Sequence, residues 1–422
     1  MEKKKLILIG AGGRGIGYTN IAFEMGGFEL VAVAEPIDAR RNYIKEKHGI
    51  PDEMCFTSWE PLLALGKIAD AALICTMDRD HFAPAMEAMK TGYDLLLEKP
   101  AAPTPEECAI LAKTAEATGA RVLVCHVLRY TKFFRALKAL IASGKVGDVM
   151  NIEHTEGVGN IHQSHSFVRG NWGNEARSSF MLLQKSCHDL DILQWLIDKK
   201  CLRVQSFGKL SYFTEKYAPE GAAERCMDCP HVDTCAYSAK KLYLYDRGDG
   251  GWFRRASTKE VNTPTEEKLL ETLATTNYGR CVFKCDNDVV DHQTVNMEFE
   301  DDVICTFTMS PFCKSGRRIR VCGTNGELYG EAGGSVINYY NETTGENEKI
   351  SITDEIIGES IVSGHGGGDS GIMVSFHEML CGADISELSN IAISAENHMI
   401  AFAAEQSRKE GRVVSLSEYE AY

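Results

Sequence analysis

Near the start of this chain four apolar residues, Leu6-Ile7-Leu8-Ile9, run directly into a glycine-rich turn, Gly10-Ala11-Gly12-Gly13-Arg14-Gly15. The run reads as a buried strand, and Gly10, Gly12 and Gly15 fall in G-x-G-x-x-G spacing. Gly10 permits a tight turn, Gly12 lets a pyrophosphate approach the backbone, and Gly15 lets the next helix pack closely on the strand. That helix, read over 16–25, turns its free N–H groups toward the phosphates. Gly13 and Arg14 complete the loop. A second buried strand, 28–34, ends at Glu35, about 20 residues past the last glycine, where a carboxylate accepts hydrogen bonds from a ribose 2′-hydroxyl. The stretch predicts a dinucleotide site for NAD. Arg40 and Arg41 stand close enough to keep NADP as the alternative.

The same grammar continues to residue 126. Segments 71–75, 94–97 and 121–125 read as further buried strands, with helices over 82–90 and 105–118 between them. Gly92 and Gly119 sit where helix C-caps are expected. Residues 1–126 are therefore read as a Rossmann domain, a doubly wound parallel sheet. At 422 residues the chain exceeds one core, so a second domain over 127–422 is expected. It reads as an α+β substrate-binding and oligomerisation domain. Strand pairs 294–299 with 303–309, 318–322 with 327–330, and 336–340 with 349–352 flank turns at Asp301-Asp302, Asn325-Gly326 and Gly345. Helices over 132–143, 178–197 and 394–409 complete an open, mostly antiparallel sheet with helices on one face. A polar insertion bearing Cys and Gly, without clear periodicity, occupies about 216–265.

Charge and cysteine usage narrow the partners. A formal net charge of −15 argues against nucleic acid or an anionic membrane. The lysines at positions 3–5 precede an apolar run too short for a signal peptide, and no stretch is long enough to span a bilayer. The 15 cysteines, mostly single and in apolar contexts, fit a reducing cytoplasm rather than a disulfide scaffold.

Glu98-Lys99-Pro100 follows the strand 94–97 directly. With the glycine loop, Thr76…His81, His126…Arg129-Tyr130 and Cys187-His188-Asp189-Leu190-Asp191, it resembles the glucose–fructose oxidoreductase/inositol dehydrogenase/rhizopine-catabolism (Gfo/Idh/MocA) family. The motifs of the resemblance run from residue 1 to about 200. It implies an NAD(P)-dependent dehydrogenase of sugars, inositols or related polyols, assembled as a homodimer or homotetramer through the C-terminal sheet. It also implies cofactor contacts from Thr76, His81, Glu98 and Lys99, and substrate contacts from Arg129 and Asp189. Lys99 would hydrogen-bond the reacting hydroxyl, and His188 would act as the acid/base.

Chemistry supports those residue types independently. Hydride removal from a carbinol carbon requires the hydroxyl proton to leave, and an imidazole titrates nearest neutrality. A lysine cation stabilises alkoxide character. The family usually carries an aspartate four residues before the histidine, where this chain has Gln184. Lys185, on the same helical face, is then a second candidate catalytic cation, with Asp191 as the alternative group orienting the ring. The Gln-Lys-x-x-His-Asp-x-Asp form resembles a sugar-active branch of the family.

Three further constellations stand out. Residues 162–172 combine hydrogen-bonding side chains with aromatics, as polyol binding requires; Glu156, His162, His165, Arg169 and Asn171 are candidate substrate contacts. Cys226, Cys229 and Cys235 have knuckle spacing for a structural Zn²⁺. Asp369 reads as the N-cap of a short helix beginning near Ser370, with His365 in the turn before it. Three functions fit the whole: a sugar, glycoside or cyclitol dehydrogenase; an NAD-dependent glycosidase working by transient oxidation and elimination; and a nucleotide-sensing regulator without catalysis.

Overall fold

A computed structural model describes residues 3–245, 251–353 and 367–422. The first sheet contains β1 (Lys4–Ile9), β2 (Phe28–Ala34), β3 (Cys55–Phe56), β4 (Ala71–Ile74), β5 (Asp94–Leu97) and β6 (Val122–Val124). They lie in the order β3-β2-β1-β4-β5-β6, and every pairing is parallel. Strand order reverses between β1 and β4, so a crevice opens at their carboxyl ends, as doubly wound sheets require. Within β1 the side chains alternate: Leu6 and Leu8 face one apolar layer, Ile7 and Ile9 the other. Both faces being covered explains why these strands read as continuous apolar runs. The helix Pro105–Thr118 starts where Thr104 accepts a hydrogen bond from the Glu107 amide, with Pro105 in the first turn.

The second sheet has nine strands in the order β14-β13-β12-β11-β7-β10-β9-β8-β15. They are β7 (Val149–Gly157), β8 (Cys201–Lys209), β9 (His292–Phe299), β10 (Ile304–Ser310), β11 (Gly316–Gly323), β12 (Gly326–Glu331), β13 (Val336–Asn341), β14 (Asn347–Ser351) and β15 (Val414–Ser415). Only β7 and β10 pair in parallel. The helix Ile391–Glu410 packs along β8 on one face, burying Val204, Cys305, Phe307 and Met309 beneath the helical layer. On the other face Phe207 and Ile304 stay 62% and 55% exposed.

The expected hairpins occur at Asp301-Asp302, both left-handed, and at Asn325-Gly326. Three expectations need correction. The helix read over 178–197 is two helices, Met181–Gln184 and Cys187–Ile197, broken at Lys185 and Ser186. The insertion read without periodicity over about 216–265 holds two α-helices among its described residues, Ala239–Tyr243 and Trp252–Thr258, and with the next helix, Glu266–Thr275, it builds a small core around Leu242, Tyr243, Leu269 and Leu273. Asp369 is not an N-cap: Gly367 takes that place in the helix Gly368–Leu380. That helix buries Ile372, Met373 and Phe376 against Leu6, Leu8 and Val33 of the first sheet.

Candidate active site

The glycine turn behaves as its spacing requires. Gly10 adopts a left-handed φ of +90°, and a Cβ there would lie 2.5 Å from the Cys75 carbonyl oxygen. A Cβ on Gly15 would lie 2.2 Å from the Gly10 carbonyl oxygen, so only glycine lets the helix Gly13–Met25 approach β1. Gly12 caps that helix, and a Cβ on Gly12 or Gly13 would meet nothing within 4 Å. This open cradle at a helix N-terminus fits a pyrophosphate. Glu35, at the end of β2, is buried and accepts from the Ala11 amide (2.7 Å) and the Ile37 amide (2.9 Å). The carboxylate is thereby fixed beside the cradle. Arg41 turns to the Glu35 carbonyl and to Asp38, and Arg40 donates to the Lys259 carbonyl.

Arg14 turns away from the cradle. Its Nε donates to Glu98 (2.7 Å), and its Nη atoms reach Asp369 (2.9 and 3.1 Å) and the Tyr18 hydroxyl. Burial pushes the Glu98 carboxyl up, but the charges of Arg14 and Lys99 and the bonds from Arg14 and Tyr18 hold it below the usual range. Thr76 donates to the Asp80 carbonyl, and the His81 ring lies between the carbonyls of Pro100 (2.7 Å) and Thr76 (3.2 Å). Thr76 and His81 thus brace the turn that carries Lys99.

Lys99 leaves the carboxyl end of β5, where a parallel sheet opens, and its Nζ donates to the Gln184 carbonyl at 2.9 Å. Gln184 ends one helix just before Cys187–Ile197 begins, so this bond brings Lys99 to the element that carries His188. The Gln184 side chain points elsewhere: its amide oxygen accepts from Ser178 and its nitrogen donates to the Trp172 carbonyl. The His188 ring stands nearly perpendicular to that of His126 with centroids 5.9 Å apart, and its buried Nδ1 has no partner among the described residues. Burial, then Lys99, His126, Arg317 and Lys185, holds its pKa well below that of free histidine. The ring is therefore neutral at pH 7.

Lys185 pairs with Glu156 at 3.2 Å. Arg317, one residue outside the strand read from sequence, stands opposite Glu156 in the β7–β11 ladder. It pairs with Glu156 and with both oxygens of Asp189 (2.7 and 3.2 Å). His154 donates to Asp189 as well, at 2.7 Å. Burial opposes charge on Asp189, yet Arg317 and His154 keep it ionised, while the two carboxylates hold Arg317 charged. His162 is held neutral by burial and by Lys185, His165, Arg317 and Lys99.

Other anticipated contacts lie outside this group. Arg129 makes a buried two-pronged pair with Asp191 (2.6 and 2.7 Å), and Asn397 also donates to Asp191. Arg129 is therefore engaged by Asp191, and Asp191 by Arg129 and Asn397 and not by His188. Residues 163–169 form a wide helical turn with every residue buried. His165 packs against Tyr278 and meets the Tyr243 hydroxyl at 2.8 Å, and burial lowers its pKa to about 3. Arg169 donates to the carbonyls of Arg280 (2.8 Å) and Tyr237 (2.7 Å). Both residues turn into the insertion, not the pocket. Asn171 is exposed beside Trp172.

Cys226, Cys229 and Cys235 line one small cavity; the Cys226 sulfur contacts Arg169 and the Arg280 carbonyl, and the Cys235 sulfur accepts from the Tyr237 amide. Among the described residues no three side chains form a metal-holding group, which removes support for zinc. His365 lies outside the described residues. No helix among those described is long and apolar enough to cross a membrane.

A Rossmann sheet with an open glycine cradle, joined to a mostly antiparallel sheet that carries the paired charges of Glu156, Lys185, Asp189 and Arg317, defines a two-domain dinucleotide-binding protein. Residues 4–126 match the oxidoreductase family with NAD-binding Rossmann fold, and residues 138–416 match that family's C-terminal alpha/beta domain. The chain belongs to the Gfo/Idh/MocA family. YteT of Bacillus subtilis, an oxidoreductase by name, is 22% identical over 268 residues, covering 61% of this chain and 59% of YteT. Inositol 2-dehydrogenase of Azotobacter vinelandii is 26% identical over 185 residues, 44% of this chain and 51% of that protein. The chain thus spans under two thirds of the length of these curated relatives. An oxidoreductase domain protein from Kribbella flavida superposes with a TM-score of 0.72 at 16% identity, over 99% of this chain and 100% of its own. An inositol dehydrogenase homolog from Azotobacter vinelandii, complexed with NADH and myo-inositol, gives 0.69 at 15% identity over 98% of both chains. These structural likenesses establish the shared fold.

Proposed function

We propose that this protein transfers a hydride between NAD and a ring hydroxyl or ketone of a sugar, glycoside or cyclitol. The observation that carries this reading is the Lys99–Gln184 bond, which draws the ammonium at the end of β5 to the break just before the helix bearing a neutral His188. Bound NAD supplies the hydride acceptor. The chain handles the proton: His188 takes it from the hydroxyl as the C–H bond breaks, and Lys99 stabilises the negative charge on the same oxygen. Lys185, Arg317, Glu156 and His162 orient the remaining hydroxyls. Gly10, Gly12, Gly13 and Gly15 cradle the pyrophosphate, and Glu35 accepts from the ribose. NAD is favoured over NADP because a 2′-phosphate would meet the Glu35 carboxylate while Arg40 and Arg41 are engaged elsewhere.

Residues 1–126 serve as the cofactor module and 127–422 as the substrate and assembly module. Phe207 and Ile304 on the bare sheet face support self-association through that face. Fifteen free thiols suit the reducing cytosol.

The experiment is a panel of sugars, glycosides and cyclitols with NAD or NADP, followed by near-UV absorbance. NADH formed in step with a ketone product supports the reading; a cofactor-loaded protein that oxidises none of the panel overturns it. The glycosidase reading stays as a second because His162, neutral beside Lys185, offers the extra base that elimination needs. Cleavage of an aryl glycoside without net NADH would select it.

A further inference from the structure

We infer that His126 is a positioning residue for the proton transfer: its ring accepts the Nδ1 proton of His188, directly or across one bound water. That bond leaves the His188 Nε2 bare toward the reacting hydroxyl. The inference rests on the dehydrogenase reading and deepens it. A histidine that takes a proton at Nε2 carries its own proton on Nδ1, and that proton needs an acceptor. His188 is half-buried, but its Nδ1 is fully buried and has no hydrogen-bond partner among the described residues.

The acceptors around this ring already have donors. The Gln184 side-chain oxygen accepts from Ser178, and the Gln184 carbonyl from Lys99. Asp189 is held by Arg317 and His154, Glu156 by Lys185 and Arg317, and Asp191 by Arg129 and Asn397. His126, just past β6, remains. It is fully buried and meets the His188 ring edge to face at 5.9 Å. Neither of its ring nitrogens has a hydrogen-bond partner among the described residues. Buried polar atoms are seldom left unpaired, so two on one ring, beside a third on His188, call for an explanation.

The surroundings of His126 select its tautomer. Its Nδ1 lies 4.0 Å from an oxygen of Asp191, and the carboxylate favours the proton on that nitrogen. Nε2 is then free to accept. His398, edge to face with His126 at 5.6 Å, is already paired: its Nε2 accepts from the Ala101 amide (3.1 Å), and its Nδ1 donates to the Asn397 side chain (2.8 Å). The charges facing His126 are Arg129, Lys99, Glu98 and Asp191; those facing His188 are Lys99, Lys185 and Arg317. Burial and these cations keep both rings neutral at pH 7, so one can donate to the other. During the reaction the hydroxyl proton moves to the His188 Nε2 as the hydride leaves for NAD. The resulting imidazolium keeps its Nδ1–H on His126.

The test reads the tautomer before turnover. In protein with isotope-labelled histidine and bound NADH, long-range proton–nitrogen correlation locates the proton on each ring, and His188→Phe identifies the His188 signals. The expected result is a His188 protonated on Nδ1. The proton should shift toward Nε2 in His126→Phe and stay on Nδ1 in His126→Gln, whose amide oxygen still accepts. With a substrate from the panel, His126→Phe should lower kcat about tenfold or more with KM little changed, and His126→Gln should recover most of that loss. Adding His126→Phe to His188→Phe should cost nothing further, because the two rings act as one unit.

Wild-type His188 protonated on Nε2 overturns the inference. So do a tautomer that His126→Phe leaves unchanged, a loss that His126→Gln does not recover, and additive losses in the double variant. A tautomer shift produced by Ser186→Ala, whose buried hydroxyl also has no partner among the described residues, would make Ser186 the acceptor and overturn it too. The expected tautomer in a protein that oxidises none of the panel keeps the His188–His126 bond and sinks the dehydrogenase reading.

Discussion

The cofactor cradle and the substrate pocket are built from very different lengths of chain. Gly10 to Gly15 and Glu35 follow the ends of two adjacent strands, β1 and β2, within the first 35 residues. Lys99, Glu156, Lys185, His188 and Arg317 come from separate segments, brought together by a sheet edge, a helix break and a strand register. A local site is set by backbone geometry, so its weak points are single glycines. A dispersed site is set by paired charges, so its weak points are partners left alone when one is removed.

The largest expected effect separates the two regions cleanly. Lys99→Met or His188→Phe should lower kcat by about 10²–10⁴-fold, while NADH affinity, read by fluorescence titration, stays near wild type. Loss of NADH binding in either variant would merge the two regions. Next comes Arg317→Ala, which strands Asp189 and Glu156 with too little positive charge. Breaking such a buried pair costs about 3–5 kcal/mol, read as a lowered denaturation midpoint with a raised KM. A variant as stable as wild type would mean that Arg317 does not hold the pocket.

On the cofactor side, Gly15→Ala forces a methyl against the Gly10 carbonyl. Overpacking of this kind costs about 1–3 kcal/mol and should weaken NAD binding with little change in chemistry once NAD saturates. Glu35→Gln removes the charge on the two backbone amides and on the ribose. The loss of about 1.5–3 kcal/mol for charged hydrogen bonds should weaken NAD and narrow its advantage over NADP in paired titrations.

The last effect is acid sensitivity, which both regions share. His126, His165 and His398 are buried and their pKa values are depressed, to about 3 for His165 and His398. The unfolded chain binds protons near pH 6.5 that the folded chain refuses. Their contribution is therefore intact above about 6.5 and is lost as pH falls toward about 3. Thermal midpoints measured across that window should fall steadily with acidification. A flat profile would place these rings in contact with water.

The same contrast explains what could be read from the sequence. β1, the glycine turn, β2 and Glu35 were legible because the strand period, the turn chemistry and the spacing agree within a short stretch. Lys99 and His188 were legible through motifs beside an edge of β5 and a helix start. Arg317 was not, because nothing in Gly316-Arg317-Arg318 marks it; only the register of β11 against β7 sets it opposite Glu156. His165 and Arg169 misled for the converse reason. Their polarity suggested substrate contacts, whereas the turn is buried and His165 meets Tyr243 while Arg169 donates to the carbonyls of Arg280 and Tyr237. The cysteine spacing looked like a metal knuckle, but spacing along the chain did not bring the sulfurs into one coordination sphere.

Single-turnover stopped-flow of NADH formation, with saturating NAD and a substrate found in the panel, tests the convergence of Lys99 and His188 most directly. The account predicts that wild type shows a fast phase whose pH dependence vanishes in His188→Phe, and that Lys99→Met slows this phase by about 10²-fold or more. A fast phase unchanged in both variants would contradict it.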